Sequence, residues 1–542
     1  MAKKLLIILY FLCLQIDSKS PGESNFQTGM SYLKKNSISE AIREFQLAIR
    51  YDPNFAEAHH SLGVAYIKKG LYDFAVKELK LAIHHKQDFA EAHNHLGVIY
   101  YKKNLTDFAI KEFNLALLSK PEFIEAHYNL GLVYIKKGLY EEAIGELKTV
   151  VQSQPEYTPA HYNLGISYYK KRMLDESIDE FLIVTKFNPN HVFAHYYLGI
   201  LYNEKNLFKN SVEEFSKSIN LKPGNAKAHY RLGLAFYKNG MLNKGIQEIK
   251  NAIRFKPGFY QANYSLGNIY LENGLVGKAI GRYKKAIQYQ PNYSKAHYSL
   301  GLAYSMTERT SLAIQSFQKA IDHKPDFAEA FYNLGVAYLK KSNTTEAIKS
   351  FRTAVKFKPN YPEAHYNLGS IYGKEKRFYK AINSYNSALN YRPNYAEAYN
   401  NIGMIYYESR LWDDAIRGFL SAIHYKPDFA IAHYNLGLTY SKKGMLDEAI
   451  KANMVAIQHQ PNFAEAHSNL GLAYNQKGLF EDAIKEYKLA IHYDPDYSLV
   501  HHNMGLAYYQ KGQMEDACLA WSKALQLGYE NSRKTLQSYC QN

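Results

Sequence analysis

A glycine returns every 34 residues along this chain, fifteen times and without one insertion: Gly29, Gly63, Gly97, Gly131, Gly165, Gly199, Gly233, Gly267, Gly301, Gly335, Gly369, Gly403, Gly437, Gly471 and Gly505. A period of this size marks a stack of small identical units, each too small to bury its own apolar face. Residues 464–497, AEAHSNLGLAYNQKGLFEDAIKEYKLAIHYDPDY, show the unit. It reads as two short amphipathic helices joined by a tight turn and closed by a proline. The fifteen units run over residues 22–531, so the 542-residue length does not call for separate globular domains.

Other columns keep the same register. Tyrosine stands three residues after the glycine in fourteen units, with Phe236 the exception. A small residue always stands twelve after it: alanine in twelve units, then Ser177, Ser211 and Gly245. Proline stands 24 after it in thirteen units, and Gln87 and Tyr529 are the departures. Leucine, glycine and tyrosine at these spacings share one stripe of the first helix. Glycine and the later small residue let two helix backbones approach closely. Phe45, Tyr283 or Trp521 on the second helix fills the remaining space. Asn104 or Gly70 occupies the inter-helix turn, where positive φ is needed. The proline ends the second helix.

The pattern L-G-x-x-Y…A-x-x-x-F…P at a period of 34 resembles the tetratricopeptide repeat (TPR). Within that family, strings such as KPDFAEAFYNLG, residues 324–335, look most like the superhelix of O-GlcNAc transferases. The resemblance implies an all-α TPR solenoid, a right-handed superhelix of stacked antiparallel helix pairs whose first helices line a concave groove. Residues 532–542 are expected to cap its last unit. No P-loop, G-x-S-x-G or Rossmann glycine motif appears, and nothing outside the repeats could hold a catalytic domain. A transferase activity therefore does not carry over, and no enzyme function or cofactor is expected. The clamp that chaperone-binding relatives use for a terminal carboxylate is also missing at equivalent positions such as Tyr264 and Asn268.

The N-terminus reads MAKKLLIILYFLCLQIDSKS. Two lysines, a short apolar run and small residues after it have the layout of a signal peptide over residues 1–20, which points to a secreted or periplasmic protein. An uncleaved anchor is the alternative, although the run falls short of the roughly 20 residues that a spanning helix needs. No stable membrane span is expected in the mature chain. Cys518 and Cys540 would remain as a candidate disulfide in an oxidising compartment. The net charge of +16 admits acidic partners, and it disfavours nucleic acid because no block of five or more cations occurs.

Four columns carry polar or aromatic chemistry. Histidine recurs at His59, His93, His127, His161, His195, His229, His297, His365, His433, His467 and His501. Successive members sit on different helix pairs, about 10 Å apart, so a shared metal ion is excluded and packing is expected. Next to it run Tyr128, Tyr162, Tyr196, Tyr230, Tyr264, Tyr298, Tyr332 and Tyr366. Such a ladder could stack on prolines, sugars or arginines. Then come Asn129, Asn163, Asn333, Asn367, Asn401, Asn435, Asn469 and Asn503, interrupted at Tyr197, Arg231, Ser265 and Ser299. Their amides could grip an extended backbone whatever its sequence. Lysine pairs end many first helices: Lys68 with Lys69, and likewise 102–103, 136–137, 170–171, 340–341 and 442–443. They complement the helix C-terminus or make the groove positive.

These columns predict a non-catalytic interaction scaffold that captures extended peptide segments, acidic ones included, chiefly over residues 333–503. An accessory subunit of a glycosyltransferase, or a glycan-binding protein, is the alternative. The departures at Ser177, Ser211, Ser218 and Gly245 mark units five to seven as the least stable stretch.

Overall fold

The computed structural model describes residues 20–540. The signal-peptide reading of residues 1–20 therefore lies outside the described residues, apart from Ser20. Among the described residues, thirty-one α-helices follow one another, from α1 (Pro21–Lys34) to α31 (Asn531–Tyr539), with no strand between them. The chain falls into two compact units, one ending at Ala262 and one beginning at Asn263. Each is a stack of helix pairs. In a representative pair, α27 (Ala464–Gln476) and α28 (Phe480–Tyr493) have 13 and 14 residues. Among the described residues no helix is long and apolar enough to cross a membrane.

The glycine column has a single physical cause. A Cβ built on Gly29 would lie 2.7 Å from Phe45 Cε1, and one on Gly335 would lie 2.8 Å from Phe351 Cε1. Phe45 and Phe351 are fully buried. The second helix's large side chain rests directly on the first helix's backbone, and any larger residue would displace it. Alanines such as Ala41, Ala347 and Ala381 are fully buried at the crossing.

The helices stop by backbone chemistry. After α3 (Ala56–Lys68), Gly70 N–H donates to Ile67 C=O at 3.0 Å and Leu71 N–H donates to Tyr66 C=O at 2.9 Å. This is a Schellman ending, and it requires φ near +77° at Gly70. Seven pairs supply glycine at this turn, and Asn36, Asn104 and Asn206 also tolerate it. Arg172, Glu308, Ser342, Lys376 and Arg410 hold φ between 56° and 65° there without either advantage. Arg410→Gly is expected to stabilise its pair by about 0.5–1 kcal/mol, because it relieves the left-handed strain. Slower amide exchange in the helices flanking the turn measures it. Unchanged exchange would show that the strain is absorbed elsewhere.

The stretch expected to be weakest carries contacts of its own. Ser177 Oγ donates to Gly165 C=O and Ser211 Oγ to Gly199 C=O, both at 2.7 Å, while Ser218 Oγ donates to Val192 C=O at 3.0 Å. A Cβ at Gly245 would meet Gly233 C=O at 2.8 Å. Those substitutions in units five to seven are matched by bonds or by closer packing. Four consecutive strained turns, at Glu308, Ser342, Lys376 and Arg410, lie further along.

At the end of the chain α31 lies on α30 (Met514–Gln526). The Tyr539 ring sits 4.6 Å from Tyr509 and 6.1 Å from Trp521, and a disulfide joins Cys518 to Cys540.

Candidate peptide-binding face of the first helices

Four positions at i, i+4, i+7 and i+11 form one stripe of each first helix. In α7 (Ile124–Lys137) they are Glu125, Asn129, Leu132 and Lys136, and in α19 (Ala328–Lys340) they are Glu329, Asn333, Val336 and Lys340. The lysines are exposed and the amide and aliphatic residues half-buried. These two helices carry the full series of acid, amide, aliphatic and base, other pairs keep part of it, and the tyrosine column runs beside it.

The tyrosine and asparagine columns are bonded to each other. Asn163 Nδ2 donates to Tyr128 Oη at 3.2 Å, Asn333 to Tyr298 at 3.0 Å, Asn367 to Tyr332 at 3.4 Å and Asn401 to Tyr366 at 3.0 Å. Each bond spans 35 residues, from one repeat to the next. The same tyrosines pack against an aromatic that opens the next repeat. Ring centroids are 5.3 Å apart for Tyr128–Tyr157, 4.9 Å for Tyr162–His191 and Tyr298–Phe327, and 4.8 Å for Tyr332–Tyr361. Tyr230 with Phe259 and Tyr264 with Tyr293 follow the pattern, while Tyr196 leans on Phe215. Burial pushes Tyr162 up to about 12 and raises Tyr298 as well, so these hydroxyls stay protonated. The two columns are first of all a staple between repeats. Asn163 and Asn333 spend a second amide donor on Pro159 and Glu329 carbonyls, at 2.8 and 2.9 Å. What such amides can still offer a ligand is the carbonyl oxygen.

Two of the predicted residues are buried and bonded to other asparagines. Asn435 and Asn469 are each 6% exposed. Asn435 Nδ2 donates to Asn400 Oδ1 at 3.0 Å, and Asn469 Nδ2 to Asn453 Oδ1 at 3.2 Å. Asn453 replaces the core aromatic of its unit, so Asn469 completes a buried polar pair. Asn129 reaches Asn94 Oδ1 at 3.1 Å, because Asn94 stands in the tyrosine column. Asn503 is half-buried on the first helix of the last pair.

The histidine column packs as expected but carries an unforeseen partner. In six successive units Nδ1 meets a glutamate nineteen residues on. The pairs are His59–Glu78 and His93–Glu112 at 2.7 Å, His127–Glu146 at 2.6 Å, His161–Glu180 at 2.5 Å, and His195–Glu214 and His229–Glu248 at 2.6 Å. His467–Glu486 repeats it at 2.7 Å. In the same rings Nε2 faces a carbonyl six residues back, such as Pro189 C=O at 2.8 Å for His195. A ring with acceptors at both nitrogens donates to both only as imidazolium. The hydrogen bond to Glu214 raises the His195 pKa, and hydrogen bonds from His195 and Lys217 hold Glu214 low against burial. At His297 and His433 the glutamate is replaced by Ser316 and Ala452, only the proline carbonyl remains, and burial lowers the pKa.

The lysine pairs divide their work. In four of the six pairs the second lysine ion-pairs with an acid 30 residues back. Lys137 meets Asp107 at 2.6 Å, Lys171 meets Glu141 at 2.6 Å, and Lys103–Asp73 and Lys443–Asp413 repeat the contact. The first lies over an aromatic ring, Lys136 at 4.6 Å from Tyr101. These exposed pairs tie neighbouring repeats weakly. A carboxylate at a fixed offset from seven of the eleven histidines and from four of the second lysines was the available sequence signal.

The TPR-repeat family profile matches residues 29–70, 133–171, 201–240, 275–307, 308–342, 340–376, 374–409 and 471–512, and the tetratricopeptide-repeat profile matches 402–457. The chain belongs to the tetratricopeptide-repeat family. No curated protein matches this TPR chain in sequence. Among solved structures it is similar to YrrB, described as a TPR protein with an unusual peptide-binding site, at 23% identity over 34% of this chain and 95% of that one, with a TM-score of 0.32. It is similar to MamA at 27% identity over 30% and 95%, TM-score 0.29. The APC/C hetero-tetramer Cut9–Hcn1 aligns at 15% identity over 84% and 97%, TM-score 0.34. TPR arrays are scaffolds for protein interaction, and the family assignment here rests on the profiles rather than on these overlays.

Proposed function

We propose that this TPR protein is a non-catalytic scaffold that takes extended peptide segments along the first-helix stripe. The observation that carries the reading is the run of half-buried amides Asn333, Asn367 and Asn401 in one register, with Asn129 and Asn163 at the same position earlier and an aliphatic residue and a lysine on the stripe beside Asn129, Asn163 and Asn333. An extended chain laid along such a surface meets the same acceptor at each step, and its apolar side chains meet residues such as Leu132 and Val336. The tyrosine rings are engaged with the next repeat, which gives a sugar-stacking role less support. The Cys518–Cys540 disulfide supports export to an oxidising compartment.

The test uses peptides selected on the full chain from a random displayed library. Asn333→Ala, Asn367→Ala and Asn401→Ala together are expected to weaken their binding about tenfold or more, at a few tenths to one kcal/mol per lost bond. Asn435 and Asn469 are left intact, because their loss would disturb buried pairs. Unchanged affinity in the triple variant would defeat the reading.

A further inference from the structure

Counted by helix pair rather than by runs, the positive charge is concentrated. Residues 222–262 carry eight lysines and arginines against one carboxylate, Glu248. Glu248 is already held by His229 at 2.6 Å. Lys222, Lys227, Arg231, Lys238, Lys244, Lys250, Arg254 and Lys256 are all exposed.

Three of them fall on the stripe. In α13 (Ala226–Lys238) the acid–amide–aliphatic–base series becomes Lys227, Arg231, Leu234 and Lys238. The three cations lie on one helix face, about 6 and 10 Å apart along the axis. In five other pairs the first stripe position is a glutamate that meets a cation 29 residues on, as in Glu57–Lys86 at 3.1 Å and Glu329–Lys358 at 3.0 Å. Here that offset sets Lys227 against Lys256, and Lys256 lies over the Phe259 ring at 5.3 Å instead. In the preceding pair the stripe acid Glu204 is bound to Arg172 at 2.7 Å and accepts from Tyr169 at 3.2 Å. The fold gains nothing from this reversal, since like charges replace an ion pair.

We propose that α13 is the subsite for the acidic part of a captured protein segment, one in which carboxylates alternate with apolar side chains. The inference rests on the first-helix stripe being the peptide-binding face. Carboxylates would meet Lys227, Arg231 and Lys238, with Arg231 able to take one in bidentate geometry. The apolar side chains would meet Leu234 and Ile200, both half-buried. An aliphatic strip between the cations suits a peptide better than a phosphate backbone, which has no apolar side chain to set there.

The experiment measures fluorescence anisotropy on the full chain with three labelled probes: an unstructured peptide of alternating glutamate and leucine, its glutamine counterpart, and single-stranded DNA. The variants are K227Q/R231Q/K238Q and, as a control away from the stripe, K222Q/K244Q/K250Q. The glutamate peptide is expected to bind more tightly than the glutamine peptide. It should lose about tenfold in the α13 variant and little in the control, with both variants keeping the wild-type melting profile. Equal binding of the two peptides, or equal loss in both variants, overturns the subsite while leaving the groove reading intact. Tighter binding of DNA that depends on the same residues overturns the choice of partner. No binding of either peptide by the wild type defeats the groove reading, and the subsite with it.

Discussion

Glu214→Gln should destabilise α11 (Val192–Glu204) and α12 (Phe208–Leu221) by about 2 kcal/mol near pH 5.5, and by clearly less near pH 8. His195 and Glu214 are both buried, 2.6 Å apart. The hydrogen bond to Glu214 and the Pro189 carbonyl raise the folded pKa of His195 above its ordinary 6.5, against burial. A base whose folded pKa exceeds its unfolded one stabilises the fold fully below about 6.5, and that contribution fades as pH rises through the folded value. Glu214 stays ionised through this window, because Lys217 also holds it at 2.8 Å. The other charged groups at the site are Glu213, which shares Lys217, and His191, whose pKa burial lowers. The glutamine variant keeps an acceptor oxygen but removes the negative charge that favours the charged ring, so its effect should track the imidazolium. Amide exchange in the two helices, corrected for intrinsic rate, reads this locally, which suits a stack whose unfolding need not be two-state. Equal losses at both pH values would mean that the ring is not charged in the fold. Ser316→Glu is the converse, since it should raise the depressed pKa of His297.

The helices, their register and the left-handed turn were legible in the sequence because each follows from local chemistry. Gly29 and its successors are dictated by one large side chain on the second helix, and Gly70 by one turn. The site was less legible. Asn163 and Asn469 occupy the same column and look equivalent, yet one is half-exposed and bonded to Tyr128 while the other is buried against Asn453. The difference arises two columns away, where asparagine replaces the aromatic of that unit. A column-by-column reading treats each position alone, whereas burial depends on what the neighbouring column carries. The His–Glu bridge was hidden for the same reason: its two ends are nineteen residues apart on different helices, and only their joint occurrence in seven units exposes the pair. The serines at 177, 211 and 218 hide a compensation of the same kind, because each hydroxyl finds a nearby carbonyl.

Breaking the Cys518–Cys540 bridge should release α31 from the last repeat while the rest of the array stays folded. The bridge closes a loop with a sequence separation of 22. Constraining a loop of that length lowers the entropy of the open state by about 3 kcal/mol. Without it, α31 is held by little. Ser532 is buried and its hydroxyl pairs with His502 Nδ1 at 2.8 Å, and Tyr539 lies on Tyr509 and Trp521 while remaining half-exposed. A nine-residue helix has no independent stability to draw on. Repeat arrays need their terminal apolar face covered, and here the face includes the fully buried Trp521, whose indole N–H donates to His502 C=O at 3.2 Å. Cys518→Ser with Cys540→Ser, in a background where Trp412→Phe leaves Trp521 as the sole indole, should shift emission to the red as water reaches the ring. Amide exchange should rise in α31 and α30 and stay unchanged in α27 and α28. Retained protection of α31 in the double serine variant would show that packing alone holds the cap. A red shift accompanied by loss of protection in α27 would show instead that the last repeats unfold together with it.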